Sequence, residues 1–195
     1  MNERLRDELL ALRAEDFRVR EELIASGELG GPYVPRMEEV HRRNAARLRE
    51  LIGANGWPSE DLAGKEGAEA AWLIAQHAVG EPELQRQVLK LLRVCVAEGR
   101  VPAWHAAYLE DRIAMHEGRP QRYGSQWMDD PKDGRARPWK LADPERVNDL
   151  RTQVGLKPLQ PIPEFGPELP AEERERIEQG QRWWEEWLIS KGWRR

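Results

Sequence analysis

The stretch AWLIAQHAVGEPELQRQVLKLLRVCVAEGRVPAWHAAY, residues 71–108, decides the fold class. Its apolar residues recur at intervals of three and four, as on the buried face of an amphipathic helix. Two short connections, GEP and GRVP, interrupt the pattern, and Pro102 stands at a first-turn position of the segment that follows. We therefore predict three successive helices, over 65–79, 83–98 and 102–117, that are neighbours in space.

Two further helices are predicted before this stretch. Leucines and Val19 recur at near-helical spacing within residues 3–26, and the turn GELGGP, residues 27–32, ends that helix. A second apolar stripe over 36–54 includes one amide, Asn44, and NGWP ends it. This helix is the expected antiparallel partner of the first, and the five helices together form the expected core.

Beyond Gly118 the pattern changes. The runs SQWM and RARPWKL flank DDPKDG, which favours a small β-hairpin after residue 124, and a short helix with Asp143 as its N-cap follows. A proline-rich linker then leads to an amphipathic helix over 170–190. The predicted fold class is therefore mainly all-α: a five-helix core, a small hairpin and a C-terminal helix. One domain is expected over 1–160, with the linker and the last helix over 161–195.

The last helix is rich in tryptophan, with Trp183, Trp184 and Trp187 close to one apolar stripe. Exposing three such side chains would leave a large apolar patch in water. We therefore expect the helix to dock, either on its own core in a monomer or on a second subunit in a homodimer.

Composition limits the classes of partner. Charged residues make up 34% of the chain and its formal net charge is −4, so the excess of positive charge typical of nucleic-acid binding is missing. The single cysteine, Cys95, excludes an intrachain disulfide. The charged N-terminus and the lack of a long apolar run predict no membrane segment and a cytoplasmic protein.

The pair Gln76–His77 ends a segment too apolar for a surface helix. A histidine exchanges protons near neutral pH, which makes His77 a candidate general acid or base beside Gln76 as a ligand-binding amide. The alternative is a core histidine held by a backbone carbonyl. Two adjacent buried polar side chains cost about 1–3 kcal/mol for each group left unsatisfied, and that cost favours a site.

The next helix carries Asp111 and Arg112. Adjacent residues on a helix point in different directions, so the two are not simply each other's ion pair, and a buried charge needs a partner elsewhere. We expect Asp111 to orient His77 or a water molecule, and Arg112 to hold negative charge on a substrate. A structural ion pair with another helix is the alternative.

The polar loop GRPQRYGSQW, residues 118–127, follows. A turn does not require Gln121, Tyr123 and Gln126, which offer several directed hydrogen-bonding groups. We predict that this loop closes over the site and that these three residues contact a substrate.

The spacing of the four histidines matches no known metal motif, since His41, His77, His105 and His116 are isolated from one another. The phosphate-binding loops and nucleophile elbows are also missing. The sequence therefore predicts neither a metal ligand set nor a cofactor, while a metal site built from separate helices stays open as a weaker alternative.

Three segments in this order carry a resemblance: one with QH at 76–77, one with EDR at 110–112 and QRYGSQ at 121–126, and LADPERVNDLRTQVGLKPL. Together they resemble a bacterial family classified as a domain of unknown function, over about residues 5–160. The family implies a helical core without implying a reaction. Its polar signature falls on Asp16, Arg20, Asn44, Gln76, His77, Asp111, Arg112, Gln121, Tyr123, Gly124 and Gln126. From this resemblance we expect Asp16, Arg20 and Asn44 to bind the substrate as well. Two departures are Phe17, at a place often polar, and His41, where an acid is expected.

From these residues we predict a cofactor-independent hydrolase or transferase that acts on a small polar or anionic substrate with His77 as general acid or base. The first alternative is a non-catalytic ligand-binding or protein-interaction module, and the second is a metal-dependent enzyme. The polar side chains are expected to converge within about 12 Å, the dimension of a small-ligand pocket.

Overall fold

The computed structural model describes residues 1–28 and 33–194. Within them the chain forms seven helices and one small antiparallel hairpin, which confirms the mainly helical fold. The predicted GELGGP turn lies partly outside the described residues. In chain order the elements are α1 (Glu3–Ala25), α2 (Pro35–Asn55), α3 (Glu60–His77), α4 (Pro82–Ala97), α5 (Ala103–His116), β1 (Trp127–Asp129), β2 (Ala136–Pro138), α6 (Val147–Gln153) and α7 (Ala171–Ser190).

The chain forms two compact units, Met1–Ala106 and Ala107–Arg195, and the division falls inside α5. The sequence-based boundary at residue 160 lies within the second unit, and the single domain over 1–160 stays a prediction. None of the described helices combines the length and the apolar character needed to cross a bilayer.

In the first unit α1, α2 and α3 pack against one another. The backbone N–H of Asn2 donates to the carbonyl of Leu62 at 2.7 Å, so α1 and α3 start side by side and run parallel. Helix α2 runs antiparallel to α1, because Arg47 pairs with Glu8 near one end of the helix pair. An ion pair between Glu22 and Arg36 marks the other end.

The core of the first unit is aliphatic and follows from the helical spacing of its leucines. On α1 the residues at seven-residue intervals face inward, since two turns of helix bring a side chain back to nearly the same side. The largest fully buried aliphatic side chains of the first unit are Leu9, Val19, Leu23, Leu48, Ile74, Leu84 and Leu92.

Helix α3 begins at Glu60, five residues before the predicted start, and is interrupted at Gly64. Gly64 has φ 68° and ψ 167°, a conformation that glycine adopts without a steric penalty. Apolar periodicity identifies the regular part of the helix from residue 65 and does not reveal the single turn before the break.

The second unit holds the end of α5, the hairpin, α6 and α7. The hairpin pairs Trp127 with Pro138, in the predicted place. Helix α6 starts at Val147, later than predicted, because Asp143 caps the preceding turn by accepting the N–H of Arg146 at 3.2 Å.

The Trp-rich segment contacts other residues of the second unit. Leu188 and Trp193 are buried, and the guanidinium of Arg194 donates to the carbonyls of His116 at 2.7 Å and Met115 at 2.8 Å. These bonds reach carbonyl groups in the last turn of α5, where the Met115 carbonyl also accepts the N–H of Gly118 at 3.0 Å.

Candidate functional site

A buried carboxylate lies in the middle of the inward face of α1. Asp16 is seven residues from both Leu9 and Leu23, and all three side chains are essentially inaccessible to solvent. An ionised carboxylate in such surroundings is strongly destabilised unless other polar groups surround it. Asp16 therefore requires partners from the neighbouring helices.

Two histidines provide them. Nδ1 of His77 lies 2.7 Å from Oδ2 of Asp16, and Nε2 of His41 lies 3.3 Å from the same oxygen. One ligand atom from each of the three residues lies within 4.8 Å of the other two. We call Asp16, His41 and His77 the Asp–His–His cluster.

Helix packing explains how residues so distant in sequence meet. His77 is the last residue of α3, and because α1 and α3 run parallel from a common start it reaches the level of Asp16. His41 lies on α2, three residues before Asn44. The amide of Asn44 donates to the carbonyl of Leu12 at 3.0 Å, which sets the register of α2 against α1.

Tyr33, two residues before α2, orients His41. Its hydroxyl is hydrogen-bonded to Nδ1 of His41, and the two rings stack with centroids 5.6 Å apart. With Nδ1 engaged in this way, the other nitrogen of the ring, Nε2, faces Asp16. A hydrogen bond at one ring nitrogen fixes the role of the other.

The charges of the cluster follow from its surroundings. Burial alone would raise the pKa of Asp16, but the close polar contacts of its carboxylate with the rings of His41 and His77 outweigh burial and hold that pKa well below its ordinary value. Burial lowers the pKa of His41 despite the opposing influence of Asp16, and the positive charge of Arg20 acts in the same direction as burial. At neutral pH the carboxylate is ionised and the His41 ring is neutral.

Two atoms of the cluster are buried without a hydrogen-bond partner among the described residues. They are Oδ1 of Asp16 and Nε2 of His41, which is near Asp16 but not aligned to donate to it. An ionised carboxylate and a neutral imidazole are the protonation states that bind a divalent metal ion. A cation held by both atoms would satisfy them.

The first unit holds further residues that the sequence predicts to bind a ligand, and they lie close in sequence to members of this cluster. Gln76, next to His77, is buried with neither amide atom hydrogen-bonded within the described part of the chain. Arg20 is exposed, one helical turn after Asp16, and Phe17 is also exposed. The ligand-binding roles of Gln76, Asn44, Arg20 and Asp16 stay predictions.

In the second unit Asp111 holds the polar loop. Its carboxylate accepts backbone N–H groups of Arg122 at 2.8 Å, Tyr123 at 3.1 Å and Ser125 at 3.0 Å. Burial raises the pKa of Asp111, and these three N–H donors oppose the rise. The geometry thus shows Asp111 bound to the loop, and its predicted catalytic role stays a prediction.

The glutamines of the loop also bond to its backbone. The amide of Gln121 donates to the carbonyls of Gln126 at 2.9 Å and Trp139 at 2.8 Å, and it accepts the N–H of Gln126 at 2.9 Å. The side-chain amide of Gln126 donates to Ser125 at 3.0 Å. The loop is therefore a turn held by its own polar side chains, and substrate contacts by Gln121, Tyr123 and Gln126 stay predictions.

Arg112 is half-buried on α5. Burial, with the positive charges of Arg112 and Arg194, holds the pKa of His116 well below its ordinary value. The predicted site residues thus form two groups, one in each unit, and their convergence within about 12 Å stays a prediction.

His77 and Asp16 are both candidates from the sequence, but nothing in their spacing pairs them with each other. His41 stands out only as a departure from the family pattern, and no pattern points to Tyr33. One signal was available: Asp16 interrupts the apolar stripe between Leu9 and Leu23, which marks a buried charge in need of partners.

Fold and cluster together define a mainly helical protein with a buried carboxylate between two imidazoles. The chain belongs to a family of unknown function, DUF6624, whose model matches residues 3–164. No curated protein and no solved structure matches the chain.

Proposed function

We propose that the Asp–His–His cluster binds a divalent metal ion and that the protein is a metal-dependent enzyme, a hydrolase or transferase acting on a small polar or anionic substrate. One observation carries the proposal: three helices bring one potential ligand atom each to within 4.8 Å of the others. The orphaned Oδ1 of Asp16 and Nε2 of His41 support it.

The ligand types favour particular metals. Two imidazoles and one carboxylate suit zinc and other first-row transition metals better than magnesium or calcium, which prefer oxygen ligands. Three protein ligands leave a coordination position open, as in catalytic rather than structural zinc sites. A metal in such a site lowers the pKa of a bound water and so supplies a nucleophile at neutral pH.

Access and orientation support an enzymatic role. The side chain of His77 keeps 23% of its surface exposed, so a small molecule can approach this edge of the cluster. The hydroxyl of Tyr33 can accept the Nδ1–H of His41, which leaves the lone pair of Nε2 for a metal ion and is the usual arrangement around metal-binding histidines.

A second candidate is the metal-free acid–base enzyme predicted from the sequence, with Asp16 rather than Asp111 as the partner of His77. The 2.7 Å contact between Nδ1 of His77 and Oδ2 of Asp16 favours it, because a buried carboxylate at Nδ1 leaves Nε2 to exchange the proton. The two candidates differ in their response to metal removal.

Cobalt titration of the full chain, followed by its visible absorption, tests the primary proposal. We expect wild type to bind one Co²⁺ with high affinity, and Asp16→Asn and His77→Gln to weaken binding strongly. Asp7→Asn, the same change at an exposed position of α1, serves as the control and should bind as wild type does. Equal cobalt affinity in wild type and Asp16→Asn would contradict the metal centre.

A panel of small chromogenic ester and phosphoester substrates, assayed with and without chelator, then separates the functions. Activity that a chelator abolishes supports the metal enzyme. Activity that resists the chelator but is lost in His77→Gln supports the acid–base enzyme. Metal binding without turnover on any substrate supports the non-catalytic binding module.

We further propose that the protein works in the cytoplasm on a small-molecule ligand and without nucleic acid. The mild net charge of −4 supports the latter. The contacts of Leu188, Trp193 and Arg194 within the second unit favour a monomer over a homodimer through the tail.

A further inference from the structure

We propose that the substrate of the Asp–His–His cluster carries an oxyanion, a phosphate or carboxylate group, and that Arg20 binds this group. The inference rests on the proposed metal centre and names the class of its substrate. Four features of the first unit support it: the position of Arg20, its lack of an ion-pair partner among the described residues, the charge of the cluster and the exposed edge at His77.

Arg20 follows Asp16 by four residues on α1, which places the two about 6 Å apart along the helix axis and on neighbouring sides of it. It lies near enough to the cluster for its positive charge to act on the His41 ring. Helix α3 ends at His77, level with Asp16, so Arg20 stands one turn beyond the end of α3. A long exposed arginine there can reach a ligand bound at the exposed edge of His77.

The side chain of Arg20 has no hydrogen bond or ion pair in the described part of the chain. Its neighbours on α1 and α2 behave differently, since Arg18, Arg36, Arg43 and Arg47 each contact a glutamate. Among the described residues, the guanidinium of Arg20 therefore has no counter-ion, whereas nearby arginines are paired.

Formal charge predicts the sign of the ligand. A divalent ion held by one carboxylate and two neutral imidazoles keeps one positive charge, and Arg20 adds a second. Of the charged groups that shift the pKa of His41 most, Asp16 is the acidic one, and its charge is already counted in this balance. An anionic ligand would balance the excess, and a planar guanidinium binds phosphate and carboxylate oxygens through paired N–H donors.

The test uses the cobalt-loaded full chain and three small probes: methylphosphonate, acetate and neutral acetamide. Calorimetry and the cobalt spectrum report binding. We expect one of the two anions to bind more tightly than acetamide, and the preferred anion identifies the phosphate or the carboxylate class. Arg20→Gln should lower the affinity for that anion at least about tenfold, which is the contribution of one charge-assisted hydrogen bond.

Two matched variants control for charge and geometry. Arg4→Gln removes another exposed charge from α1, about 18 Å along the helix axis from Asp16, and should leave anion affinity unchanged. Arg20→Lys keeps the charge but loses the paired donors, so its affinity should fall between those of wild type and Arg20→Gln. Cobalt affinity and circular dichroism should be the same in all three variants.

The outcomes separate this inference from the metal proposal. If wild type binds cobalt but neither anion binds better than acetamide, or if Arg20→Gln binds anions as wild type does, the oxyanion inference is wrong and the metal centre stands. If wild type does not bind cobalt, the metal centre is wrong and this inference falls with it.

Discussion

Asp16 shows how much one charged residue can depend on its neighbours. Its carboxylate lies in an aliphatic face of α1 and is held in the ionised state by His41 and His77. Removing one partner from a buried charged group costs more than the interaction itself contributes, because the remaining charge stays desolvated. A metal ion would add a cation to this balance and bind the orphaned oxygen.

Tyr33 provides a residue-scale prediction. Tyr33→Phe removes the hydroxyl at Nδ1 of His41 and keeps the stacked ring, so the orientation of the imidazole is held less firmly. We expect metal affinity to fall about 10–100-fold, the usual effect of losing an outer hydrogen bond to a ligand. Competition with a chromophoric chelator measures the change; an unaltered affinity with an unaltered circular dichroism spectrum would exclude this role.

His105 provides a second residue-scale prediction, this one for pH. Both of its ring nitrogens are buried without a hydrogen-bond partner among the described residues, and burial lowers its pKa to about 4. The unfolded chain takes up a proton below about pH 6.5 while the folded ring stays neutral, so stability is full above that pH and falls towards pH 4. Between pH 7 and 5 the free energy of unfolding falls by about 2 kcal/mol for this reason.

Urea unfolding of wild type and His105→Leu at both pH values measures this contribution. On acidification the free energy of unfolding should fall by about 2 kcal/mol less in the variant than in wild type, because leucine cannot bind a proton. Equal losses in the two proteins would show that the folded state accommodates a protonated His105.

The residues of the cluster differ in how far the sequence alone predicts them. A charge within the stripe of Leu9 and Leu23 is visible from spacing, as is the polar pair at 76–77. The meeting of Asp16 with His77 is not visible, since 61 residues separate them and helical periodicity carries no information on which helices are neighbours.

At the scale of elements, helices α1, α2, α4 and α5 follow the apolar spacing to within about two residues at each end, the usual uncertainty of helix boundaries. The loop over 118–127 follows no such spacing. The sequence predicts that its glutamines contact a substrate, whereas Gln121 bonds to backbone groups of the loop and of Trp139, next to the hairpin. Polar residues that hold a turn and polar residues that bind a ligand have the same composition, so sequence alone does not separate them.

Asp111→Asn tests what this loop does. The amide keeps the size of the side chain but replaces one acceptor with a donor that faces backbone N–H groups. We expect a loss of about 2–4 kcal/mol in the free energy of unfolding, measured with urea. Asp129→Asn, at an exposed position of β1, should change stability by about 0.5 kcal/mol or less.

The contrary result would be equally informative. If Asp111→Asn unfolds as wild type does but loses enzymatic activity, the carboxylate is catalytic, as predicted from the sequence, and its bonds to the loop are secondary.

At the scale of the whole molecule, the family match ends at residue 164 while the second unit extends to the C-terminus. The segment beyond the match contributes buried side chains, Leu188 and Trp193 among them. Trp193 packs against His116 with ring centroids 4.9 Å apart. The Trp-rich segment is thus part of the packing of its unit although it lies outside the family match.

Trp193→Ala tests the contribution of this segment. Removing a buried tryptophan should lower the free energy of unfolding by about 3–5 kcal/mol, because a large cavity replaces the ring. Ile189→Ala, on the exposed side of α7, is the matched control and should cost about 0.5 kcal/mol or less. Equal melting temperatures for the two variants, with unchanged mass in solution, would show that the tail serves a separate partner.

The metal centre is tested most directly by anomalous X-ray diffraction at the zinc edge, on crystals of the full chain grown with zinc. We predict an anomalous peak about 2.0–2.2 Å from an oxygen of Asp16, Nε2 of His41 and a ring nitrogen of His77, the usual range for zinc bound to these ligands. A density map with no peak between these residues, and with Nδ1 of His77 still bonded directly to Asp16, would contradict the account.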